Sequence, residues 1–349
     1  MEHTTLPTVT APTADSEIEI IEPALEKSIV ALAAVRSTEN AVAQGPPSSR
    51  YAALVNAVRS GDMTKAKDLA KSTSDIKLNI ADVLEIAIKR RDMRIITLLM
   101  DSGADMEAVN KHGLKALHVA TLFGRDEALR LLLERGADIE GECRMGGKAL
   151  HYAAQDGRAE LVRLLLDRGA DIEAKTHSGR KPLHYAVVKG HDMVAGLLLD
   201  RGANIEATDN DQWRPLHVAA GHGNDEVARL LLDRGADVKA RGSGGWKALH
   251  YAAGIEKEEL VRLLLDKGAD IEAQGDNGGR ALHVAAYHGR YEVARLLVER
   301  GAKIEARDEY GRSALQVGEQ VGRGRVVQLL RDAARIEFRR SLQWIQGDR

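Results

Sequence analysis

The sequence predicts an all-α repeat solenoid, and three observations predict it. A six-residue signature returns every 33 residues: KALHVA ending at Ala120, KALHYA at Ala153, KPLHYA at Ala186, RPLHVA at Ala219, KALHYA at Ala252, RALHVA at Ala285 and a decayed SALQVG ending at Gly318. A Gly-Ala pair keeps the same beat from Gly103 through Gly136, Gly169, Gly202, Gly235, Gly268 and Gly301. Between these marks each unit carries two short apolar stripes at helical spacing. Two unrelated motifs locked to one period mean an array of stacked units rather than one closed core.

One unit, read from Asn110, shows the logic. Over Ala116–Leu122 the residues Leu117, Ala120 and Thr121 share a side, as a short helix requires, and Gly124 breaks it. Ala128, Leu131, Leu132 and Leu133 make a second stripe, closed by Gly136 where a helix C-cap belongs. Ala120 and Ala137 are small because neighbouring helices must approach to about 8–10 Å. No unit can bury its leucines alone; stacking completes the core. On the second helices Arg130 and Glu134, Arg163 and Asp167, Arg229 and Asp233, Arg262 and Asp266, and Arg295 and Glu299 are spaced as i,i+4 pairs on a solvated face.

The period and the Leu-His-x-Ala core of the signature resemble the ankyrin repeat, whose unit is a β-turn plus two antiparallel helices. The resemblance covers about residues 77–320 well, and 50–345 with degenerate ends. It implies an ankyrin-repeat array of helix-turn-helix units carrying β-turn fingers, with a protein-binding concave face. It also implies that the signature histidines, His118, His151, His184, His217, His250 and His283, with Gln316 in the seventh place, are structural and hydrogen-bond locally and between repeats.

Four segments are expected. Residues 1–49 are acidic and rich in Thr and Pro and read as a disordered tail, with Ile18–Val35 as a candidate docking helix. Residues 50–76 form a degenerate capping unit without the glycines. The repeat domain spans 77–340, in units beginning near 77, 110, 143, 176, 209, 242, 275 and 308, with Glu85 in the histidine's place in the first. Residues 341–349 are a basic extension; Phe338, Leu342, Trp344 and Ile345 are expected to cap the last repeat.

A net charge of −2 and 3% aromatic residues create no global pull toward nucleic acid or membranes. Cys143, the one cysteine, excludes an intramolecular disulfide and fits a reducing compartment. No apolar run reaches membrane-spanning length. Residues 1–26 hold six acids and no Lys or Arg, against a secretory or mitochondrial leader. The expected location is cytoplasmic or nuclear, and the expected state a monomer. No zincin helix or Walker loop occurs, and Gly242-Ser243-Gly244-Gly245 lacks the flanking residues of a serine elbow or dinucleotide loop. Histidines one repeat apart are too distant to share a metal. No catalysis, cofactor or metal is expected.

The chain departs from the family in its signature's first residue. Six units place a base where the usual threonine caps the inner helix: Lys115, Lys148, Lys181, Arg214, Lys247 and Arg280, with Ser313 restoring the hydroxyl. A cation there opposes the helix dipole by about 0.3–1 kcal/mol, and a lost cap costs about 1 kcal/mol. Eight residues earlier stands an acid, Glu107, Glu140, Glu173, Glu206 or Glu272, and Glu305 precedes Ser313. Acid and base lie symmetrically about the finger tip, so they can pair across its arms as a structural ladder; the other reading is a basic stripe for an acidic or phosphorylated partner. One rung is broken, with Lys239 opposite Lys247 across a loose turn, Arg241-Gly242-Ser243-Gly244-Gly245-Trp246.

Trp213 and Trp246 fill one position of successive units, where others carry Leu114, Gly147, Arg180, Gly279 and Arg312. The resemblance puts this position on the concave face, and tryptophan and arginine are frequent interface anchors. The expected partner site therefore centres on Trp213, Trp246, Arg180, Arg214, Lys239 and Lys247; the alternative is that each ring packs over the neighbouring finger. Positions that differ between units extend the face: Met145, Asn210 and Asp211 at finger tips, with Phe123, His222, Tyr287 and His288 at inner-helix ends. The leading function is a non-enzymatic scaffold or adaptor for one or more proteins. The competing function is electrostatic binding of nucleic acid or anionic lipid through the Lys/Arg stripe and the basic tail, against which the interleaved glutamates argue. A third is regulatory, with residues 1–26 folding back on the bases.

Overall fold

Residues 50–71 and 80–347 are described by a computed structural model of the chain; the acidic tail and its docking segment lie outside them. Among the described residues there are eighteen α-helices in nine consecutive antiparallel pairs. The first two pairs are α1 (Arg50–Ser60) with α2 (Met63–Lys71) and α3 (Ile80–Arg90) with α4 (Met93–Asp101). Then come α5 (Ala116–Leu122) with α6 (Asp126–Glu134), α7 (Ala149–Gln155) with α8 (Ala159–Asp167), and α9 (Pro182–Val188) with α10 (Asp192–Asp200). The array continues through α11 (Pro215–His222) with α12 (Asp225–Asp233), α13 (Ala248–Gly254) with α14 (Glu258–Asp266), and α15 (Ala281–His288) with α16 (Tyr291–Glu299). It closes with α17 (Ala314–Gln320) and α18 (Gly324–Gly347).

Odd-numbered helices pack on odd-numbered ones and even on even, so two parallel layers run along the stack. The inner helices are seven or eight residues long from α5 to α17. That is too short to be stable alone, and they are held by burial: every residue of α5 is buried. In α6 the deepest side chains are Leu129 and Leu132, while Leu131 and Leu133 are partly exposed, so the buried stripe runs one residue earlier than the leucine triplet suggests. Helix α6 ends with Gly136 at φ 84°, its N–H and that of Ala137 donating back to Leu133 O and Leu132 O, a left-handed stop that glycine adopts without a Cβ penalty.

Each finger between pairs is closed by its first residue. The Asp209 Oδ1 atom accepts from the N–H groups of Asp211 and Trp213 at 3.0 and 2.8 Å; Asn110 and Asp308 do the same in their fingers. Adjacent tips join through backbone bonds, His177 N–H to Met145 O at 3.2 Å and Asn210 N–H to Ser178 O at 3.1 Å. At the far end α18 runs on past the last inner helix, and Ile336 and Phe338 remain half or more exposed. At 64% exposed, Phe338 buries only a minor part of its ring, less than the expected cap would. The side chains of Leu342, Trp344 and Ile345 lie outside the described residues.

Candidate functional site

The six signature histidines are buried and bridge successive units. In each, Nδ1 accepts from the N–H of the base at the helix start, for example Lys148 N–H to His151 at 3.1 Å and Lys247 N–H to His250 at 3.1 Å. Nε2–H then donates to a carbonyl of the following finger: His118 to Gly147 O, His151 to Ala174 O, His184 to Ala207 O, His217 to Ala240 O and His250 to Ala273 O, at 3.0–3.1 Å, and His283 to Arg312 O at 3.2 Å. This geometry requires the neutral ring. Burial pushes the pKa of His118, His151, His217 and His250 down to about 4, and also lowers those of His184 and His283. The histidine thus supplies the N3 half of a capping box, satisfying the N-cap N–H, while the half a threonine hydroxyl would supply is lost because lysine has no acceptor. Glu85 does the bridging in the first full unit: it is buried, pairs with Lys89 at 2.6 Å and accepts from Asn110 Nδ2 at 2.8 Å.

The acid–base ladder is present. Lys115 pairs with Glu107 at 2.9 Å, Lys148 with Glu140 at 2.8 Å, Arg214 with Glu206 at 3.1 Å and Arg280 with Glu272 at 3.0 Å; Lys181 pairs with Glu173 in the same way. The hydrogen bond to Glu140 holds the Lys148 ammonium above its ordinary value. Each of these glutamates does more than the pairing, because its second oxygen accepts a backbone N–H from the next unit: Asp138, Asp171, Asn204, Asp237 and Lys303, at 2.8–2.9 Å. One carboxylate ties two arms of a finger and two units together. Glu140→Ala should therefore cost about 1.5–3 kcal/mol, the range for a hydrogen bond to a charged group. Glu140→Gln, which keeps the acceptor for Asp171 N–H, should recover part of it; urea unfolding of the three proteins checks this, and equal stability of all three would remove the double role. In the last full unit Ser313 and Gln316 form a reciprocal capping box, with Ser313 N–H donating to Gln316 Oε1 at 2.9 Å.

Trp213 and Trp246 are not on the surface. They are 5% and 4% exposed and form one aromatic cluster with Tyr251, whose ring centroid lies 4.2 Å from Trp213 and 5.4 Å from Trp246. Glycines make room for it. A Cβ on Gly275 would meet the Trp246 ring at 2.7 Å, and one on Gly221 would meet Trp213 at 3.2 Å. The Trp246 ring lies over the following finger, which begins with Gly275 rather than with Asp, Asn or Thr, while the Trp213 ring lies against Gly221 of its own inner helix. Arg180 is likewise buried, its Nε donating to the buried Asp209 at 3.2 Å. These three residues of the expected site are packing elements between units, as the packing alternative for the tryptophans has it.

Other candidate residues do reach solvent. Met145 (46%) and Tyr310 (56%) are exposed at finger tips, as are Arg144, His177, Asn210, Asp211 and Gln212. Gln212 holds φ 63° where the equivalent residues are Gly113, Gly146, Gly179, Gly245, Gly278 and Gly311. His222 is exposed at the end of α11, while Phe123, Tyr287 and His288 are half-buried; Lys89 lies over the Phe123 ring at 4.6 Å and Tyr287 stacks edge-on against His288 at 5.1 Å. Lys239 is exposed, and Arg214 and Lys247 are half-buried.

The outer layer corrects one expectation and adds a feature. Of the i,i+4 pairs only Arg295 and Glu299 meet, at 3.5 Å. Arg163 bonds Glu160 and Arg262 bonds Glu258 instead. The acids at the helix ends turn to a base in the next unit: Asp167 to Arg201 at 2.8 Å, Asp200 to Arg234 at 2.6 Å, Asp233 to Lys267 at 2.7 Å and Asp266 to Arg300 at 2.8 Å. Those bases are the C-cap residues of their own outer helices. A second tie was missed altogether. The residue before most outer helices reaches back to carbonyls at the end of the previous inner helix: Arg125 to Lys89 O, His191 to Gln155 O, Asn224 to Val187 O, Arg290 to Gly254 O and Arg323 to Tyr287 O, at 2.7–3.0 Å. A polar donor recurring every 33 residues, of changing identity, was the signal.

Among the described residues no group of three His, Cys, Asp or Glu side chains is placed to hold a metal ion, and no helix is long and apolar enough to cross a membrane. Cys143 is buried, its Sγ 3.1 Å from Tyr152 Oη.

Stacked helix pairs with bonded fingers define a repeat protein whose units hold one another in place. A family model described as "Ankyrin repeats (3 copies)" matches residues 54–143, 84–176, 150–242 and 239–308. The chain belongs to the ankyrin-repeat family. Among solved structures it is similar to the ankyrin repeat domain of Bcl-3, a member of the IkappaB protein family, at 30% identity and a TM-score of 0.54, covering 63% of this chain and 99% of that one. A comparison with curated proteins finds no match.

Proposed function

We propose that the chain is a non-enzymatic scaffold that holds a partner protein against its finger tips and inner-helix ends. The observation that carries this is the division between constancy and exposure. The signature histidines and their flanking leucines and alanines, such as Leu117, His118 and Ala120, are buried. Residues that change, Arg144 and Met145, His177, Asn210 and Asp211, Tyr310, Lys189 and His222, are exposed. A surface whose side chains vary on a constant scaffold is free to be shaped by what it binds. The ladder weighs against the electrostatic alternative, because five of its six bases are already paired with glutamates of their own fingers. A buried, free Cys143 thiol is in keeping with a reducing cytoplasmic or nuclear setting.

The test compares partner capture by wild type, by Met145→Glu with His222→Glu, and by Met193→Glu on the outer layer, where Met193 is 70% exposed. The double variant should keep its helical circular dichroism and Tm yet bind an isolated partner at least about 30-fold more weakly, the loss of one hot spot. Met193→Glu should bind like wild type. Loss in Met193→Glu alone would move the site to the outer face.

A further inference from the structure

Five rungs of the ladder share one recognition geometry. A carboxylate sits between an ammonium or guanidinium eight residues ahead and a backbone N–H 31 residues ahead, with one oxygen for each, as Glu140 does between Lys148 Nζ (2.8 Å) and Asp171 N–H (2.8 Å). The rung starting at position 239 has the same two donors in register, Lys247 and the N–H of Asp270, but Lys239 in place of the carboxylate. No carboxylate among the described residues pairs with either lysine, and Lys239 is exposed. Asp270 pairs with neither lysine; its Oδ1 accepts from Glu272 N–H at 3.0 Å, as Asp138 Oδ1 does from Glu140 N–H in an intact rung. The cations nearby are otherwise committed, Arg214 to Glu206 and Arg241 to Asp276 at 2.5 Å.

The unit beginning at 242, which supplies Lys247, departs from the others twice more. Its finger holds a 3₁₀ turn over Ser243–Gly245, the one such turn among the described fingers. Its inner helix ends on an extended Ile255 (φ −109°, ψ 160°) followed by Glu256, where most units have a left-handed glycine such as Gly223 or Gly289. Three departures fall within residues 239–256, and the one in the ladder puts two lysines on a rung otherwise built to hold a carboxylate. Like charges there are costly unless a counter-charge arrives.

We infer that the Lys239–Lys247 rung is a subsite for a carboxylate of the partner, an aspartate or glutamate in an acidic segment of polypeptide, which binds both ammonium groups and the Asp270 N–H and so completes the ladder in trans. This deepens the scaffold reading and rests on it. The intact rungs argue for a carboxylate, because a carboxylate is the group that five other rungs place between a cation eight residues ahead and a backbone N–H 31 residues ahead. The rung lies in the same finger as Trp246, next to Lys247, so occupancy is readable in tryptophan fluorescence.

The test titrates the full chain with a hexaglutamate peptide, with hexaglutamine as the uncharged control. Wild type should bind hexaglutamate and ignore hexaglutamine. Lys239→Glu should weaken hexaglutamate binding at least tenfold while raising Tm by about 2–4 °C, the shift expected for one added interaction in a domain of this size; the rise shows that the rung has closed on itself in a folded protein. Lys239→Ala should weaken binding without the rise in Tm. Equal hexaglutamate affinity in wild type and Lys239→Glu, or no binding to wild type, overturns the subsite. So does stronger binding of a phosphoserine hexapeptide or of phosphatidylserine vesicles than of hexaglutamate. A partner captured equally by wild type and Lys239→Glu leaves the scaffold standing and removes only this rung.

Discussion

Lowering the pH from 7 to 4 is expected to unfold the array through its histidines. Each buried ring must be neutral, because Nδ1 accepts and Nε2–H donates in the same pair of bonds. In the unfolded chain these rings titrate near 6.5, whereas His118, His151, His217 and His250 hold out to about 4 when folded. Between those values the unfolded state binds more protons, so stability falls as pH falls. The contribution is complete above about pH 6.5 and gone below about pH 4. Each of the four is worth on the order of 3 kcal/mol, and together they match or exceed the roughly 5–15 kcal/mol that holds a domain folded. Urea midpoints followed by circular dichroism at half-unit steps of pH check this. A midpoint constant from pH 7 to pH 5 would sink the argument, and His250→Gln should flatten the dependence by about one histidine's share.

Trp213→Ala and Trp246→Ala are each expected to destabilise the fold by about 3–5 kcal/mol, the range for removing a buried aromatic ring. The effect should be larger than for a surface anchor, because each ring packs against Tyr251 and against glycines that cannot refill the space. Thermal melts decide it. A variant with unchanged Tm and lost partner binding would return the tryptophans to the interface. Loss of binding that tracks loss of helical signal supports their role as packing between units. Since Trp213 reaches forward to Tyr251 and Trp246 to Gly275, the two changes share a neighbour and their costs should not add.

The repeat fold was legible in the sequence because stacking demands a fixed period, and the period survives even where single residues decay. The ladder was legible for a related reason: Glu140 and Lys148 are placed symmetrically about a finger tip, so pairing follows from local geometry. The inter-unit bonds of the histidines were implied by the resemblance, but the choice of partner among charged side chains of neighbouring units escaped. Asp167 has Arg163 on its own helix and Arg201 in the next unit, and sequence spacing favours the first while the structure takes the second. Burial of Trp213, Trp246 and Arg180 depends on which small or acidic residue, Gly221, Gly275 or Asp209, stands opposite. One unit read alone contains no sign of that. Exposure at Met145, His222 and Asn210 was readable because variable polar positions on a constant frame have nowhere else to go.

The ties between units all span a similar distance along the chain: 23 or 29 residues for the histidines, 31 for the glutamates, 34 for the outer pairs and 36 for the reach back before each outer helix. Each therefore ends in the adjoining unit and goes no further. Excising one whole period, such as residues 143–175, would present every severed donor with the same kind of acceptor it had lost, carried by the next unit along. Removing a stretch that is not a multiple of 33 would leave all of them facing the wrong atoms. The chain is thus built to change length in whole steps, and because Lys239 and Lys247 stand in adjoining units, a step cut at 242 would separate the two lysines of the broken rung.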